Sequence, residues 1–391
     1  MLDIFNNYPL QREELLARIA QELQLDKTRL DRMESAYNAV AELLKNDKDF
    51  FDGLVIEVYA QGSKRIGATV RPFNKADFDL DVVLHIFDAY HRHSPEEIYN
   101  ALVKALEKDG YYKTILEKKK RCVRLNYKSD FHMDILPACM PDYSEKERIK
   151  IPEKALRGWS SGNPKGFADW FLSIANSVKE PMLGRYADVL MKAQIETERL
   201  PEEAYLKTPL QRVVQLLKRY RDVFFDKKDY PVSSIVITTL AAHFYNAENS
   251  IFEAMDHIVS KIKNSYQDSV RYNKKFKVLN PVNPEEDFTD SWTNEHYVSF
   301  FSFIEDFHKR WQNLKNSFET SNEDYIRLFG EGVYKKTLNE QFQNFAKSTN
   351  NSLAKSSGLI AASIAFTSPS GNINSSNGYK NGNHHNFGGK Y

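Results

Sequence analysis

The stretch Phe78-Asp79-Leu80-Asp81-Val82-Val83 decides the fold. Its polar and apolar side chains alternate, which predicts a β-strand with Asp79 and Asp81 on one face and Leu80 and Val82 on the other. Two carboxylates side by side on a half-buried strand repel each other, and a divalent cation between them removes that repulsion. The pattern therefore predicts a metal site on one face of a sheet.

Upstream, the β-branched and aromatic stretch Leu54 to Ala60 (LVIEVYA) predicts another strand, which ends at Gln61-Gly62-Ser63. Glycine permits a tight turn there, and the backbone N–H groups and the Ser63 hydroxyl can hold a triphosphate. Lys64 and Arg65 follow directly and are candidates to neutralise phosphate charge.

A third acid, Asp134, lies in a predicted hairpin whose strands cover residues 121–127 and 131–136. If its strand neighbours the Asp79–Asp81 strand, the three carboxylates converge. Hard oxygen ligands suit Mg²⁺ or Mn²⁺, and two such ions ~3.5–4 Å apart could activate a hydroxyl and stabilise a leaving pyrophosphate. Each motif alone is more often a solvated turn or strand edge, whereas the three in this order are specific.

The chain divides by its periodicity into three parts. Residues 1–160 predict an α/β lobe that includes a long N-terminal helix, the spine helix Leu30–Leu44, expected to pack across both lobes. Residues 161–345 show mostly helical spacing and predict a helical lobe that completes a cleft. Residues 346–391 are rich in Ser, Asn and Gly, which predicts a flexible tail.

Composition excludes several classes of protein. The 54 basic and 53 acidic residues give a formal charge of +1, which argues against a general duplex-binding protein. Two cysteines are too few for a disulfide framework or a four-ligand zinc module. The N-terminus has no signal-peptide pattern and no apolar run is long enough to span a bilayer. We therefore expect a cytoplasmic protein without a membrane partner and without zinc.

The motifs resemble a known family. Gln61-Gly62-Ser63, Gly67 to Pro72 and Phe78 to Val83 together are similar to the signature of polymerase-beta-type nucleotidyltransferases. More narrowly, they resemble the bacterial cGAS/DncV-like nucleotidyltransferases, which make cyclic oligonucleotide second messengers in anti-phage (CBASS) defence. Further similar segments are Trp159 to Phe171, Leu210 to Asp222 followed by Ser233-Ser234-Ile235, and Val278 to Trp292.

The resemblance implies an α+β fold, in which a polymerase-beta-like lobe with a mixed β-sheet precedes a C-terminal helical lobe similar to that of oligoadenylate synthases. It also implies that two Mg²⁺ or Mn²⁺ ions bind to Asp79, Asp81 and Asp134, and that Asp134 helps to deprotonate the attacking ribose hydroxyl. Donor phosphates would contact Gly62 and Ser63 from one lobe.

From the helical lobe, the resemblance implies that Lys218 and Ser234 touch the triphosphate. Two alternatives stay open. Lys218 lies in a basic run, Lys218-Arg219-Tyr220-Arg221, of a kind that more often forms a solvated helix face. Ser234 competes with a helix N-cap role, and the neighbouring Ser233 could be the contact instead.

By this resemblance, the reaction joins NTPs, ATP among them, into a cyclic di- or trinucleotide with release of pyrophosphate. Alternatives are a synthase of linear 2′-5′ oligonucleotides, a nucleotidyltransferase acting on RNA or protein, and an inactive nucleotide-binding scaffold. The chain lacks the His/Cys zinc thumb of the animal DNA sensor, so a nucleic-acid activator is not expected. The tail ending Gly388-Gly389-Lys390-Tyr391 suggests a substrate for an operon-encoded conjugating enzyme.

Overall fold

The computed structural model describes residues 8–75, 77–127, 131–145, 147–153, 156–178, 181–182, 207–316 and 322–355. The first half of the chain alternates helices and strands. Its elements are α1 (Tyr8–Glu22), α2 (Lys27–Lys45), β1 (Ile56–Ala60), α3 (Gly62–Arg65), β2 (Phe78–Ala89), α4 (Pro95–Glu107), α5 (Gly110–Ile115), β3 (Leu116–Lys118), β4 (Val123–Tyr127), β5 (Phe131–Met140), β6 (Ile149–Pro152) and β7 (Trp159–Gly162).

One seven-stranded sheet organises this half, with strand order β1-β2-β5-β4-β3, with β6 paired to β5 and with β7 paired to β6. Strands β2 and β5 are parallel, whereas their other neighbours in the sheet are antiparallel. The sheet is therefore mixed, as expected. The predicted hairpin is confirmed, since Tyr127 pairs with Phe131 and Arg124 with Asp134.

The second half is helical, also as expected. Its elements are α6 (Pro164–Ala175), α7 (Pro209–Phe224), α8 (Ser234–Phe244), α9 (Ile251–Arg271), the short hairpin β8 (Leu279–Asn280) and β9 (Asn283–Asp287), α10 (Asn294–Asn316), α11 (Asn322–Phe329) and α12 (Glu331–Lys355). Among the described residues, no helix is both long and apolar enough to cross a membrane.

The predicted spine helix Leu30–Leu44 lies within α2, but its buried residues pack in the core beneath the sheet and not across both lobes. The chain breaks after α1, and Asp26 caps α2 by accepting a hydrogen bond from the Arg29 N–H. Helix α1 packs in the core of the helical lobe, whereas α2 packs in the core beneath the sheet. The two lobes are thus joined by a helix break and not by one continuous helix.

The last helix also differs from expectation. Helix α12 continues to Lys355 and so enters the segment predicted to be a flexible tail from residue 346. A sequence poor in apolar residues can still continue a helix that has already been nucleated by a packed first half. Residues 356–391 lie outside the described residues, and the conjugation hypothesis stays a prediction.

Candidate active site

The structure brings the three predicted acids to one face of the sheet, here called the acid face. Asp79 and Asp81 share this face of β2, and the parallel register places Asp81 opposite Asp134 of β5. The intervening side chains Leu80 and Met133 point the other way and are buried in the core. Neighbouring strands lie ~4.8 Å apart, so carboxylates in register are close neighbours.

The electrostatics of the acid face reflect this crowding. The pKa of Asp81 is raised to about 6, first by burial and then by the charges of Asp134 and Asp79. Burial also raises the pKa of Asp79, and the nearby Arg124 guanidinium partly offsets that rise. Carboxylates that hold their protons more tightly than usual mark a place where a bound cation would be strongly favoured.

Arg124 of β4 was not anticipated from the sequence. Its Nε donates to Asp134 Oδ1 at 2.7 Å, and its Nη2 donates to Asp134 Oδ2 at 2.8 Å and to Asp79 Oδ1 at 3.4 Å. Counting back from the hairpin tip would have found it, because equal steps from Tyr127 and Phe131 lead to Arg124 and Asp134.

The predicted phosphate-binding residues form a single helical turn, α3, immediately after β1; it is called the phosphate turn below. The Gln61 N–H donates to the Asp81 carbonyl at 2.9 Å, so the turn is fixed to the acid-bearing strand. Gly62 has φ +60°, and a Cβ added to it would lie 3.1 Å from Asp81 Oδ2. Ser63 is half-buried and Lys64 is exposed. The turn therefore borders the carboxylates directly.

Lys218 lies behind the phosphate turn, and its interpretation as part of a solvated helix face is wrong. Its side chain is buried, and Nζ donates to the Ala68 carbonyl at 3.1 Å. Burial, with a smaller contribution from Arg221, lowers the pKa of Lys218 to about 8. Asp81 acts in the opposite direction, which places the two charges within electrostatic reach of each other.

Lys218 belongs to a row of donors on helix α7 that sequence reasoning also missed. Together with Lys207 just before the helix, the row bonds the backbone carbonyls of residues 66–71, here called the carbonyl segment, which follows the phosphate turn. The bonds are Lys207 to Gly67 (2.6 Å), Gln211 to Ile66 (2.9 Å), Gln215 to Thr69 (3.0 Å), Lys218 to Ala68 (3.1 Å) and Arg219 to Arg71 (2.9 Å). The helical lobe thus holds the backbone that carries the phosphate turn.

Ser234 is the first residue of α8, and Ser233 occupies the N-cap position. The Ser234 hydroxyl accepts a hydrogen bond from Arg221, which also pairs with Asp222. Ser234 therefore faces α7 and the basic run. The N-cap position belongs to Ser233.

The donor set of the acid face fits a hard divalent cation, because carboxylate oxygens are the ligands that Mg²⁺ and Mn²⁺ prefer. The space beside Gly62, which a Cβ would fill, adds room next to Asp81. Within the described ranges, no three carboxylate, histidine or cysteine side chains are arranged so that together they could hold a metal ion as they stand. Arg124 is bonded to two of the three acids, so an ion has to compete with it.

Comparison with known proteins agrees with this geometry. Residues 11–174 match the Second Messenger Oligonucleotide or Dinucleotide Synthetase (SMODS) domain family. A c-di-GMP synthase of Roseivirga ehrenbergii is 38% identical over 367 residues, which cover 92% of this chain and 94% of that protein. The cyclic dinucleotide synthase CdnG of Bradyrhizobium diazoefficiens is 25% identical over 294 residues, covering 72% of this chain and 70% of CdnG.

Solved structures share the fold. The Bradyrhizobium diazoefficiens CdnG structure in complex with GTP superposes with a TM-score of 0.69 and 21% identity, over 84% of this chain and 98% of that one. Escherichia coli CdnC with ATP superposes with a TM-score of 0.59 and 15% identity, over 82% and 98% of the two chains.

The fold and the acid face define a nucleotidyltransferase that joins nucleotides into cyclic oligonucleotides. The chain belongs to the bacterial cGAS/DncV-like nucleotidyltransferase family. Enzymes of this family generally depend on divalent metal ions.

Proposed function

We propose that this enzyme joins two molecules of GTP into c-di-GMP and releases two molecules of pyrophosphate. The relative from Roseivirga ehrenbergii, described as a c-di-GMP synthase, supports this product because the similarity extends along nearly all of both chains. ATP, expected from the sequence as one of the substrates, is the alternative, and it would give a product that contains adenine.

The observation that carries the proposal is the register of Asp81 against Asp134, with Asp79 on the same face and Gly62 against Asp81. Asp79, Asp81 and Asp134 would hold two Mg²⁺ or Mn²⁺ ions. When bound, such ions neutralise the triphosphate and lower the pKa of the attacking hydroxyl.

The phosphate turn supplies the second part of the site. Gly62 leaves its backbone open to the donor triphosphate, the Ser63 hydroxyl can donate to a phosphate oxygen, and Lys64 adds an exposed positive charge. Lys218 and Ser234 extend this site from the helical lobe. Lys218 would act on the triphosphate through the carbonyl segment and through its field, because its ammonium group is bonded to the Ala68 carbonyl.

The two nucleotidyl transfers form and break the same kinds of bond. A ribose hydroxyl oxygen of one nucleotide forms a bond to the α-phosphorus of the other, and the bond from that phosphorus to the pyrophosphate oxygen breaks. The hydroxyl proton passes to Asp134. A second transfer of the same kind within the linear dinucleotide closes the ring.

The product can be identified directly. The full-length protein is incubated with each NTP alone and with all four together, in Mg²⁺ and separately in Mn²⁺, and the products are treated with phosphatase before mass spectrometry. The proposal predicts a phosphatase-resistant cyclic product from GTP alone. A product from which phosphatase removes terminal phosphates would mean a linear synthase, and a requirement for ATP would replace c-di-GMP with a mixed ring.

We also propose that the cyclic product is a cytoplasmic second messenger in anti-phage signalling, as in other enzymes of this family. The chain and its genomic neighbours would be expressed in a susceptible host, with wild-type Asp79 and Asp81 or with both changed to Asn. Protection by the wild-type chain alone supports the signalling role. Equal protection by both would favour an inactive scaffold.

A further inference from the structure

Arg124 is the dominant partner of the acid face as it stands in the structure. Both of the oxygen atoms of Asp134 accept hydrogen bonds from it, in the two-pronged geometry that makes guanidinium–carboxylate pairs strong. The same guanidinium also reaches Asp79. Only about a quarter of the Arg124 side chain is exposed (23%), so water screens these contacts little.

The pairing with Arg124 changes the balance of charge on the acid face. Three carboxylates on adjacent strands repel one another, and Arg124 supplies a positive charge in contact with two of them. Asp81, to which Arg124 donates no hydrogen bond, feels the positive charge of Lys218 and, to a smaller degree, that of Arg124. The acid face is therefore neutralised in part by side chains of the chain itself.

A metal ion would need the oxygen atoms that Arg124 already uses. Asp134 cannot offer a free carboxylate edge to an ion while both of its oxygens accept from Arg124. A positive guanidinium within ~4 Å of the ion also repels it, because the effective dielectric constant at a protein surface is well below that of water.

We propose that Arg124 is an internal counter-ion that divalent ions must displace from Asp134 and Asp79, so that ions enter together with a nucleotide and not before it. The triphosphate changes the balance because it brings further oxygen ligands for the ions. It also brings negative charge that can pair with the released guanidinium. This inference rests on the proposed metal site at Asp79, Asp81 and Asp134.

The test is Mn²⁺ binding to the nucleotide-free, full-length protein, measured by calorimetry and by electron paramagnetic resonance of free Mn²⁺. Arg124→Gln should bind Mn²⁺ at least ~10-fold more tightly than wild type, because the competing charge and its hydrogen bonds are gone. Arg124→Lys keeps the charge but cannot occupy both oxygens of Asp134 in the same way, so its affinity should lie in between. It also serves as the second variant if Arg124→Gln folds poorly.

The matched control is Arg121→Gln, which removes the same charge from an exposed position just before β4. Its Mn²⁺ affinity should equal that of wild type. Adding Asp79→Asn and Asp81→Asn to Arg124→Gln should abolish the tight binding, which places the ion at the acid face.

Unchanged or weaker Mn²⁺ binding by folded Arg124→Gln and Arg124→Lys would overturn the inference. So would tight binding that survives the two Asn substitutions. Either result can occur while wild-type protein still makes a cyclic product from NTPs, so failure of this inference is distinguishable from failure of the proposed function.

Discussion

Two glycines of the first lobe have similar backbone conformations but different surroundings. Gly62 has φ +60° and Gly53 has φ +74°, a region that costs other residues roughly 1–2 kcal/mol. A Cβ on Gly62 would lie 3.1 Å from Asp81 Oδ2, whereas a Cβ on Gly53 would meet no heavy atom of the described residues within 4 Å. Comparing alanine substitutions at Gly62 and Gly53 therefore distinguishes the effect of backbone strain from an effect on the site.

We predict that Gly62→Ala lowers the rate of cyclic dinucleotide synthesis by about 100-fold, because a displacement of the phosphate turn by ~1 Å misaligns the reacting groups. Gly53→Ala should lose similar stability in thermal unfolding but keep its activity. Equal activity of the two variants would contradict the placement of Gly62 at the phosphate site.

At this scale the sequence predicts much of the site. Alternation along β2 is enough to place Asp79 and Asp81 on one face, and an apolar neighbour on each side is enough to orient Asp134. Arg124 could also have been found, since it follows from the register of the hairpin. Its contact with Asp79 could not, because that contact depends on which strand lies beside β2.

Helix α7 acts as one element on the phosphate turn through its row of donors. Gln215 is buried, and its side-chain amide donates to the Thr69 carbonyl at 3.0 Å. We predict that Gln215→Leu lowers the free energy of unfolding by about 1–3 kcal/mol, because the half-buried Thr69 carbonyl loses its hydrogen-bond partner. It should also raise the KM for GTP by about tenfold with a smaller change in kcat, because the carbonyl segment no longer holds the turn in place.

Thr337→Val, on α12, is the matched control for Gln215→Leu on α7. Thr337 is also buried, and its hydroxyl donates to the Val333 and Tyr334 carbonyls, both within α12. Its loss should reduce stability by a similar amount and leave the KM unchanged. If Thr337→Val raises the KM as much as Gln215→Leu does, the row on α7 is structural only.

Some elements of the fold could be predicted from sequence patterns and others could not. Helical spacing over residues 161–345 predicted the helical lobe, because its helices have an apolar stripe or an apolar body that local spacing reveals. The predicted Leu30–Leu44 helix lies within α2, but its expected packing across both lobes was wrong, because the break at the Asp26 cap places α1 and α2 in different cores. The α7 contacts were out of reach, since Lys218 and Ala68 are 150 residues apart in the chain.

A buried acid links the N-terminal helix α1 to the start of α9. Glu13 of α1 accepts hydrogen bonds from the Ile251 N–H (2.6 Å), the Ser250 hydroxyl (2.8 Å) and the Phe252 N–H (3.2 Å) at the start of α9. Burial is the largest influence and raises the pKa of Glu13 from 4.5 to about 7. The N-terminal helix and the helical lobe are therefore joined through a group that titrates near neutral pH.

This raised pKa makes stability depend on pH with a definite sign. Between about pH 4.5 and about pH 7 the unfolded chain releases the Glu13 proton while the folded chain retains it, so stability falls as pH rises through that window. We predict that the free energy of unfolding of Glu13→Gln falls by about 3 kcal/mol less across the window than that of wild type. Chemical denaturation at several pH values measures the difference.

Glu34→Gln, an exposed change on α2, is the control and should follow the wild-type curve. Asp81 and Glu14, whose pKa values are also raised chiefly by burial, contribute to the slope in every variant and cancel from the comparison. Parallel curves for wild type and Glu13→Gln would show that Glu13 does not titrate in this window.

The central claim is that carboxylates from β2 and β5 act together in metal-dependent nucleotidyl transfer. The most direct test measures pyrophosphate release from GTP and Mg²⁺ by wild type, Asp81→Asn, Asp134→Asn and the control Asp77→Asn, which lies before β2 and pairs with His132. We predict a loss of at least ~10³-fold for Asp81→Asn and for Asp134→Asn, no larger loss when these two substitutions are combined, and near wild-type release by Asp77→Asn. Substantial release by Asp81→Asn or Asp134→Asn would contradict it.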